Sequence, residues 1–226
     1  DCEHGAMDTR AVQEIVQAVG HRCACIVRIP ELNEGTIKRV LDVGAQGIIV
    51  PAVNTAEAAA ETVKYSRYSP IGERGAGIGR AQRYGRAFAE YTATANEEIV
   101  VVVQAEHRRA VDAIDSITSV NGIDCVLLGP YDLSASFGLM GQIDHPQVVS
   151  AIDKVLENCR NKGISTGYFG VTPEVVREYG EKGCTLLISG VDVTFLSAGA
   201  SRMHKQMTQP DPKSPVEQTG QEARGE

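Results

Sequence analysis

The chain has 226 residues, a formal net charge of −7 and six cysteines, with a pI near 5.3; at that length one domain buries roughly 70% of its unfolded surface, so no second core is needed. The acidic balance and the scattered Lys and Arg offer no basic stripe to neutralise phosphates, which excludes nucleic acid as a partner. No run approaches the roughly eighteen apolar residues of a membrane span and the opening DCEHG is no signal peptide, so neither a membrane partner nor a leader is expected, and six cysteines without a paired motif suit reduced thiols in a cytoplasmic protein.

Taken in chain order, apolar periodicity and capping residues predict a helix over 8–19, a strand over 23–29 (CACIVRI), a helix over 33–43, a strand over 47–53 (GIIVPAV) and a helix over 55–65. Further on come a strand over 99–106 (IVVVVQAE), a helix over 107–120, a strand over 124–130 (DCVLLGP) and a helix over 146–162. The series closes with a strand over 165–170, a helix over 172–182, a strand over 184–190 and a helix over 191–207. Strict alternation of this kind means a parallel sheet with helical crossovers, an α/β fold. Six strands stand where a closed (β/α)8 barrel requires eight, and the chain opens on an acidic tetrapeptide instead of a strand, so the opening part of the barrel is expected to be missing. The barrel domain is expected over 1–207 and a disordered tail, rich in Gln, Pro, Lys, Glu and Gly, over 208–226.

Between residues 69 and 86 lies SPIGERGAGIGRAQRYGR, a glycine-rich basic loop without periodicity. Loops of this length are lids or binding loops, or else mobile surface segments. Its GAGIG lacks the preceding strand and the acidic residue about twenty positions on that a dinucleotide fingerprint requires.

Two acids close two apolar runs one βα unit apart: Glu106 after IVVVVQA and Asp132 after CVLLGPY. Uninterrupted β-branched runs suit parallel strands buried on both faces, and in a parallel barrel their carboxyl ends share one rim, where two carboxylates can hold one hard cation. Each acid alone could equally cap the following helix. His4 lies just past where a strand would end and is a candidate general base, with an exposed histidine in a capping loop as the plainer reading. Arg28, near the end of CACIVRI, offers a forked donor to a carboxylate or enolate oxygen, or a salt bridge to a neighbouring acid. Gln104 shares a strand face with Glu106, and its amide needs a partner such as a substrate carbonyl or a water. Asp42 ends the helix over 33–43, where a carboxylate is disfavoured, so it is either solvated or paired beyond its own helix.

With DCEHG and IVRIP upstream, LDVGAQGIIVP and RYSPIGERGAG following, then VQAE, GPYDLSAS and GVDVTFL, the chain from Asp1 to about Ala200 closely resembles the HpcH/HpaI aldolase family of metal-dependent class II pyruvate aldolases. The resemblance implies a (β/α)8 TIM barrel lacking, in this chain, its first strand, first helix and second strand. It also implies a divalent metal, Mg²⁺ or Mn²⁺, on Glu106 and Asp132, with Arg28 at the carbonyl or enolate oxygen and Gln104 lining the pyruvate site. His4 with Asp1 would move the proton, and Asp42 would be offered from a neighbouring subunit to the catalytic histidine. The family assembles as dimers through swapped terminal helices, often grouped into hexamers, so a homo-oligomer is expected. Two positions depart from the family pattern: His107 stands where a small hydroxyl residue is usual, and Tyr131, counted as substrate-binding, replaces a small residue before Asp132.

The implied reaction is the reversible cleavage of a 4-hydroxy-2-oxo acid, a small-molecule oxo acid substrate, into pyruvate and an aldehyde through a metal-stabilised enolate. A malyl- or citramalyl-CoA lyase, an oxaloacetate decarboxylase and a degenerate non-catalytic barrel are the alternatives.

Overall fold

Five of the six sheet strands are short β-branched or aliphatic runs, while the fifth in chain order is STGYFG, and a helix follows each strand. The computed structural model describes residues 1–208. In order they form α1 (Thr9–Val19), β1 (Ile26–Arg28), α2 (Glu34–Asp42), β2 (Gly47–Val50), α3 (Ala56–Ser66), α4 (Phe88–Glu98), β3 (Val100–Ala105), α5 (Arg108–Asp112) and α6 (Ile114–Ile117). These are followed by β4 (Cys125–Leu128), α7 (Pro130–Ser136), α8 (Pro146–Lys162), β5 (Ser165–Gly170), α9 (Pro173–Glu181), β6 (Leu186–Ser189) and α10 (Asp192–Thr208).

The six strands pair in parallel and in sequence order, β1 through β6. Among the described residues β6 does not pair with β1, so the sheet is a curled, open fraction of a barrel and not a closed one. Alternation along the strands gives the sheet two faces. Ile48, Val50, Val101, Val103, Val126 and Leu128 face the helices and join one large core, with Ile37, Val63, Leu133 and Ile152 contributed from the helical layer. The inner face carries a smaller cluster of Ile49, Val102, Cys125 and Leu127. Register carries Gln104 beside Leu127 and Ala105 beside Leu128, which sets the ends of β3 and β4 side by side at one rim.

Helix starts follow the capping residues: Asp8 accepts from the Ala11 N–H at 2.8 Å, Asn33 from Thr36 at 3.0 Å and Thr55 from Ala58 at 3.2 Å. Each such cap stabilises its helix by about 1 kcal/mol. Three expectations need correction. The helix expected over 107–120 breaks at Ala113, whose ψ of 4° ends α5 before α6 begins. α4 lies between the loop of 69–86 and the strand over 99–106, in a stretch to which the sequence assigns no element. Asp132 sits in the first turn of α7 and not at a strand end, because β4 stops at Leu128 and Pro130, with its fixed φ, opens the helix.

The chain divides into two compact units, Asp1–Ser189 and a second beginning at Gly190. Of the tail expected over 208–226, Thr208 closes α10 and residues 209–226 lie outside the described residues. The six cysteines are unpaired, and no helix among the described residues is long and apolar enough to cross a membrane.

Candidate active site

The period of two along β3 that buries Val102 on the inner face also places Gln104 there and carries Glu106 to the rim just beyond the strand. Both side chains are buried, 3% and 8% exposed. Gln104 donates its Nε2 to Glu106 Oε2 in a short hydrogen bond. The backbone N–H of Ala52 donates to Glu106 Oε1 at 2.8 Å from the loop that leaves β2. Ala52 holds a left-handed φ of 52°, a conformation that disfavours an L side chain and points its N–H at the carboxylate. Gly129, after β4, completes the enclosure: a Cβ there would meet Gln104 Nε2 and Glu106 Cβ at 3.0 Å and Glu106 Oε2 at 3.1 Å.

Burial pushes the Glu106 carboxyl above the usual carboxylate range. The Ala52 N–H opposes that, the nearby negative charges of Glu3 and Asp132 add to it, and Arg28 opposes it again. Asp132 is therefore close enough to be felt at Glu106, although it is exposed in the first turn of α7. Tyr131 beside it is 58% exposed and its phenol lies over Gly141.

The opening residues run alongside the end of β1, where the Cys2 N–H donates to the Arg28 carbonyl at 2.8 Å. This brings two acids onto the Arg28 guanidinium. Asp1 takes it in a two-point contact, 2.9 Å from Nε and 2.5 Å from Nη2. Glu3 Oε2 lies 3.0 Å from Nη1. That contact is not aligned as a hydrogen bond, so Glu3 Oε2 stays buried without a hydrogen-bond partner. His4, with its side chain 66% exposed, lies 3.6 Å from Glu3 Oε2.

The structure thus brings Asp1, Glu3, Arg28, Gln104, Glu106 and Asp132 to one rim. It does not join His4 to Asp1, whose carboxylate is committed to Arg28 and to the Glu3 N–H. Asp42 lies at the opposite rim of its own chain, at the end of α2, where it accepts from Arg74 at 2.8 Å. It is therefore paired beyond its helix, but not with this site.

Four carboxylates against one arginine make a concentrated negative charge, and such a set relaxes when a hard cation takes the charge. Gln104 Oε1 is buried without a hydrogen-bond partner, as a group beside bound water or substrate would be. The donor set therefore fits a divalent ion on Glu106 and Asp132. Among the described residues no group of three or more His, Cys, Asp or Glu side chains forms a self-sufficient metal cage, so substrate or water would have to complete the coordination.

Sequence reasoning passed over Glu3, Ala52 and Gly129. Glu3 lies within the DCEH tetrapeptide, between Asp1 and His4, which were both read as functional. The glycine before Pro130, between a strand and a helix, is the signal that could have revealed Gly129 as a place of close approach.

The HpcH/HpaI aldolase/citrate lyase family profile matches residues 1–198. The chain belongs to this family. It is 37% identical to a 4-hydroxy-2-oxovalerate aldolase of Rhodococcus jostii, over 92% of this chain and 81% of that protein. It is also 37% identical to a 2-keto-3-deoxy-L-rhamnonate aldolase of Klebsiella pneumoniae, over 97% of this chain and 82% of the relative. The crystal structure of an HpcH/HpaI aldolase from Desulfitobacterium hafniense superposes with a TM-score of 0.86 at 33% identity, covering 95% of this chain and 84% of that one. As an HpcH/HpaI member with aldolase relatives, the chain is an enzyme of the aldolase/lyase kind.

Proposed function

We propose that the chain cleaves a 4-hydroxy-2-oxo acid reversibly into pyruvate and an aldehyde, at the rim where Glu106 and Asp132 meet. The observation that carries this reading is the buried Glu106, held by Ala52 and Gln104 within electrostatic reach of Asp132 and Arg28. Glu106 and Asp132 would hold Mg²⁺ or Mn²⁺, the choice that all-oxygen ligands favour. Bound there, the cation supplies Lewis acidity to the keto oxygen of the substrate.

Arg28 places a fixed positive charge where negative charge develops as the carbon–carbon bond breaks. Asp1 and Glu3 keep its fork from turning away. Gln104 lines the pyruvate end, its amide oriented by Glu106 and its buried Oε1 left without a partner. His4, exposed and 3.6 Å from Glu3, takes the 4-hydroxyl proton in cleavage and returns it in condensation. Asp1 touches Arg28 and not the imidazole, so its part in this chain is to hold the Arg28 fork in place. Tyr131 stands exposed at the aldehyde side of the mouth.

The chain is also proposed to act as a homo-oligomer, a dimer or hexamer. Asp42 then reaches a catalytic centre from a neighbouring copy, since it lies at the wrong rim of its own. α10 carries Val193, Phe195, Leu196, Met203 and Met207, all exposed, which a second copy would cover.

Pyruvate release from a panel of 4-hydroxy-2-oxo acids, with oxaloacetate as a comparison, tests the reaction. Activity lost in EDTA and restored by Mg²⁺ or Mn²⁺ supports the reading. Full activity in chelator rejects the cation, and pyruvate from oxaloacetate alone rejects the aldol substrate.

A further inference from the structure

A cleft of about 1020 Å³ opens at the rim of the sheet opposite Glu106 and Asp132, bounded by Gln46 and Ile99, the residues just before β2 and β3. The length of β3 puts the two places roughly 20 Å apart. Its volume is that of a small-molecule site.

One wall is the end of the glycine-rich loop, which presents Arg80, Arg83 and Arg86. None of these arginines is ion-paired among the described residues. Arg80 donates to the Val43 carbonyl at 3.3 Å and lies across Gly44, where a Cβ would stand 2.6 Å from its Nη1. Arg83 and Tyr84 both hold left-handed backbone, at φ 52° and 55°. Two successive non-glycine residues in that region are sterically disfavoured, so the surrounding structure must impose them. It does so through Gln82, which is fully buried: its side-chain oxygen accepts from the Gly79 N–H at 2.6 Å, and its carbonyl accepts from Gly85 and Ala87. The loop is thus a fixed frame that turns arginines toward the cleft. It is not a lid over the carboxylates of its own chain.

α4 also lines the cleft, with Glu90, Tyr91 and Glu98, while the lining Tyr84 is 67% exposed. Cations and carboxylates lining one cleft suit one ligand with two kinds of end. Arginine forks bind an oxyanion in pairs of charge-assisted hydrogen bonds, and carboxylates accept from hydroxyls.

We infer that this cleft binds a small polyhydroxylated oxyanion, its phosphate or carboxylate against Arg80, Arg83 and Arg86 and its hydroxyls toward Glu90 and Glu98. The cleft lies on the Asp42 side of the chain and uses neither Glu106 nor Asp132, so its test can be read apart from theirs.

Titration calorimetry at fixed ionic strength tests it, with glucose 6-phosphate and gluconate as the two anion sources and pyruvate and inorganic phosphate as unhydroxylated controls. One of the hydroxylated anions is expected to bind with a dissociation constant of about a millimolar or tighter. The double substitution Arg83→Ala, Arg86→Ala should weaken it at least about tenfold, and Glu106→Gln should leave it unchanged. Glu90→Gln should weaken glucose 6-phosphate or gluconate, whichever binds, and not inorganic phosphate. Circular dichroism checks that the double variant folds, and Arg80→Gln serves in its place if it does not. Binding of neither hydroxylated anion overturns the inference, as does binding indifferent to the arginines, binding lost with Glu106→Gln, or equal affinity for inorganic phosphate.

Discussion

The backbone N–H of Ala52 points at Glu106 Oε1 from 2.8 Å, and it does so because Ala52 is held at a φ of 52°. A strained residue on the β2 side thereby supports a buried carboxylate on the β3 side. Replacing Ala52 by Pro removes the donor and forbids the dihedral. The expected outcome is loss of at least about 2 kcal/mol of stability in urea unfolding, together with loss of pyruvate formation. Ala52→Gly keeps both the donor and the dihedral and should retain activity; a Gly variant as inactive as the Pro variant would show that the N–H is not what matters.

Glu106 is pushed upward chiefly by burial, so its protonated form is favoured in the folded chain. A raised folded value means that its contribution to stability is full below the unfolded carboxylate value and is lost as pH rises through the folded one. Without divalent ions, wild-type stability should therefore fall as pH rises out of the acidic range, and Glu106→Gln should lack that component. Melting curves from pH 4 to 8 compare them; parallel curves contradict the assignment. At pH 7 the same variant should lose activity at least about a hundredfold.

Gly129 admits no side chain without pressing on both Gln104 and Glu106. Its own φ of −104° is open to any residue, so the expected effect of Gly129→Ala is steric. Turnover should drop at least about tenfold while stability changes by about 1–3 kcal/mol. Steady-state rates beside urea unfolding separate the two, and unchanged turnover would refute the close approach.

Arg67 is 4% exposed and reaches the carbonyls of Asn96, Ile99 and Gly122 as well as the Asp124 carboxylate at 2.8 Å. Asp124 in turn accepts from the Val101 N–H at 2.7 Å, so one guanidinium ties the entries of β3 and β4. Arg67→Met leaves those acceptors unpaired and should cost about 3 kcal/mol, taking the low end for a pair whose acid is half exposed. A loss below about 1 kcal/mol in urea unfolding would count against it.

Much of this was legible from residue order. The strands and the helix over 146–162 follow from short apolar or aromatic runs and from Pro146, and the rim positions of Gln104 and Glu106 follow from the period of two along IVVVVQAE. α4 escaped notice because FAEYTATANEE buries only Ala95, so it has almost no apolar stripe to read. The break at Ala113 escaped because apolar spacing continues across it, while its backbone does not. The ties of Arg28 to Asp1 and Glu3 span more than twenty positions, and of Arg28's two open readings, salt bridge or substrate donor, only the folded chain could show the first. The same holds for Asp42, whose unfavourable place at a helix end is explained by Arg74, thirty-two positions on.

Because every strand lies beside the next one in the chain, no part of the sheet waits for a distant segment before it can form. Each βα unit emerging from a ribosome finds its neighbour already in place, so assembly can keep pace with synthesis. The rim that gathers Glu106 and Asp132 is then in place once α7 has been made, before β5 and β6 follow.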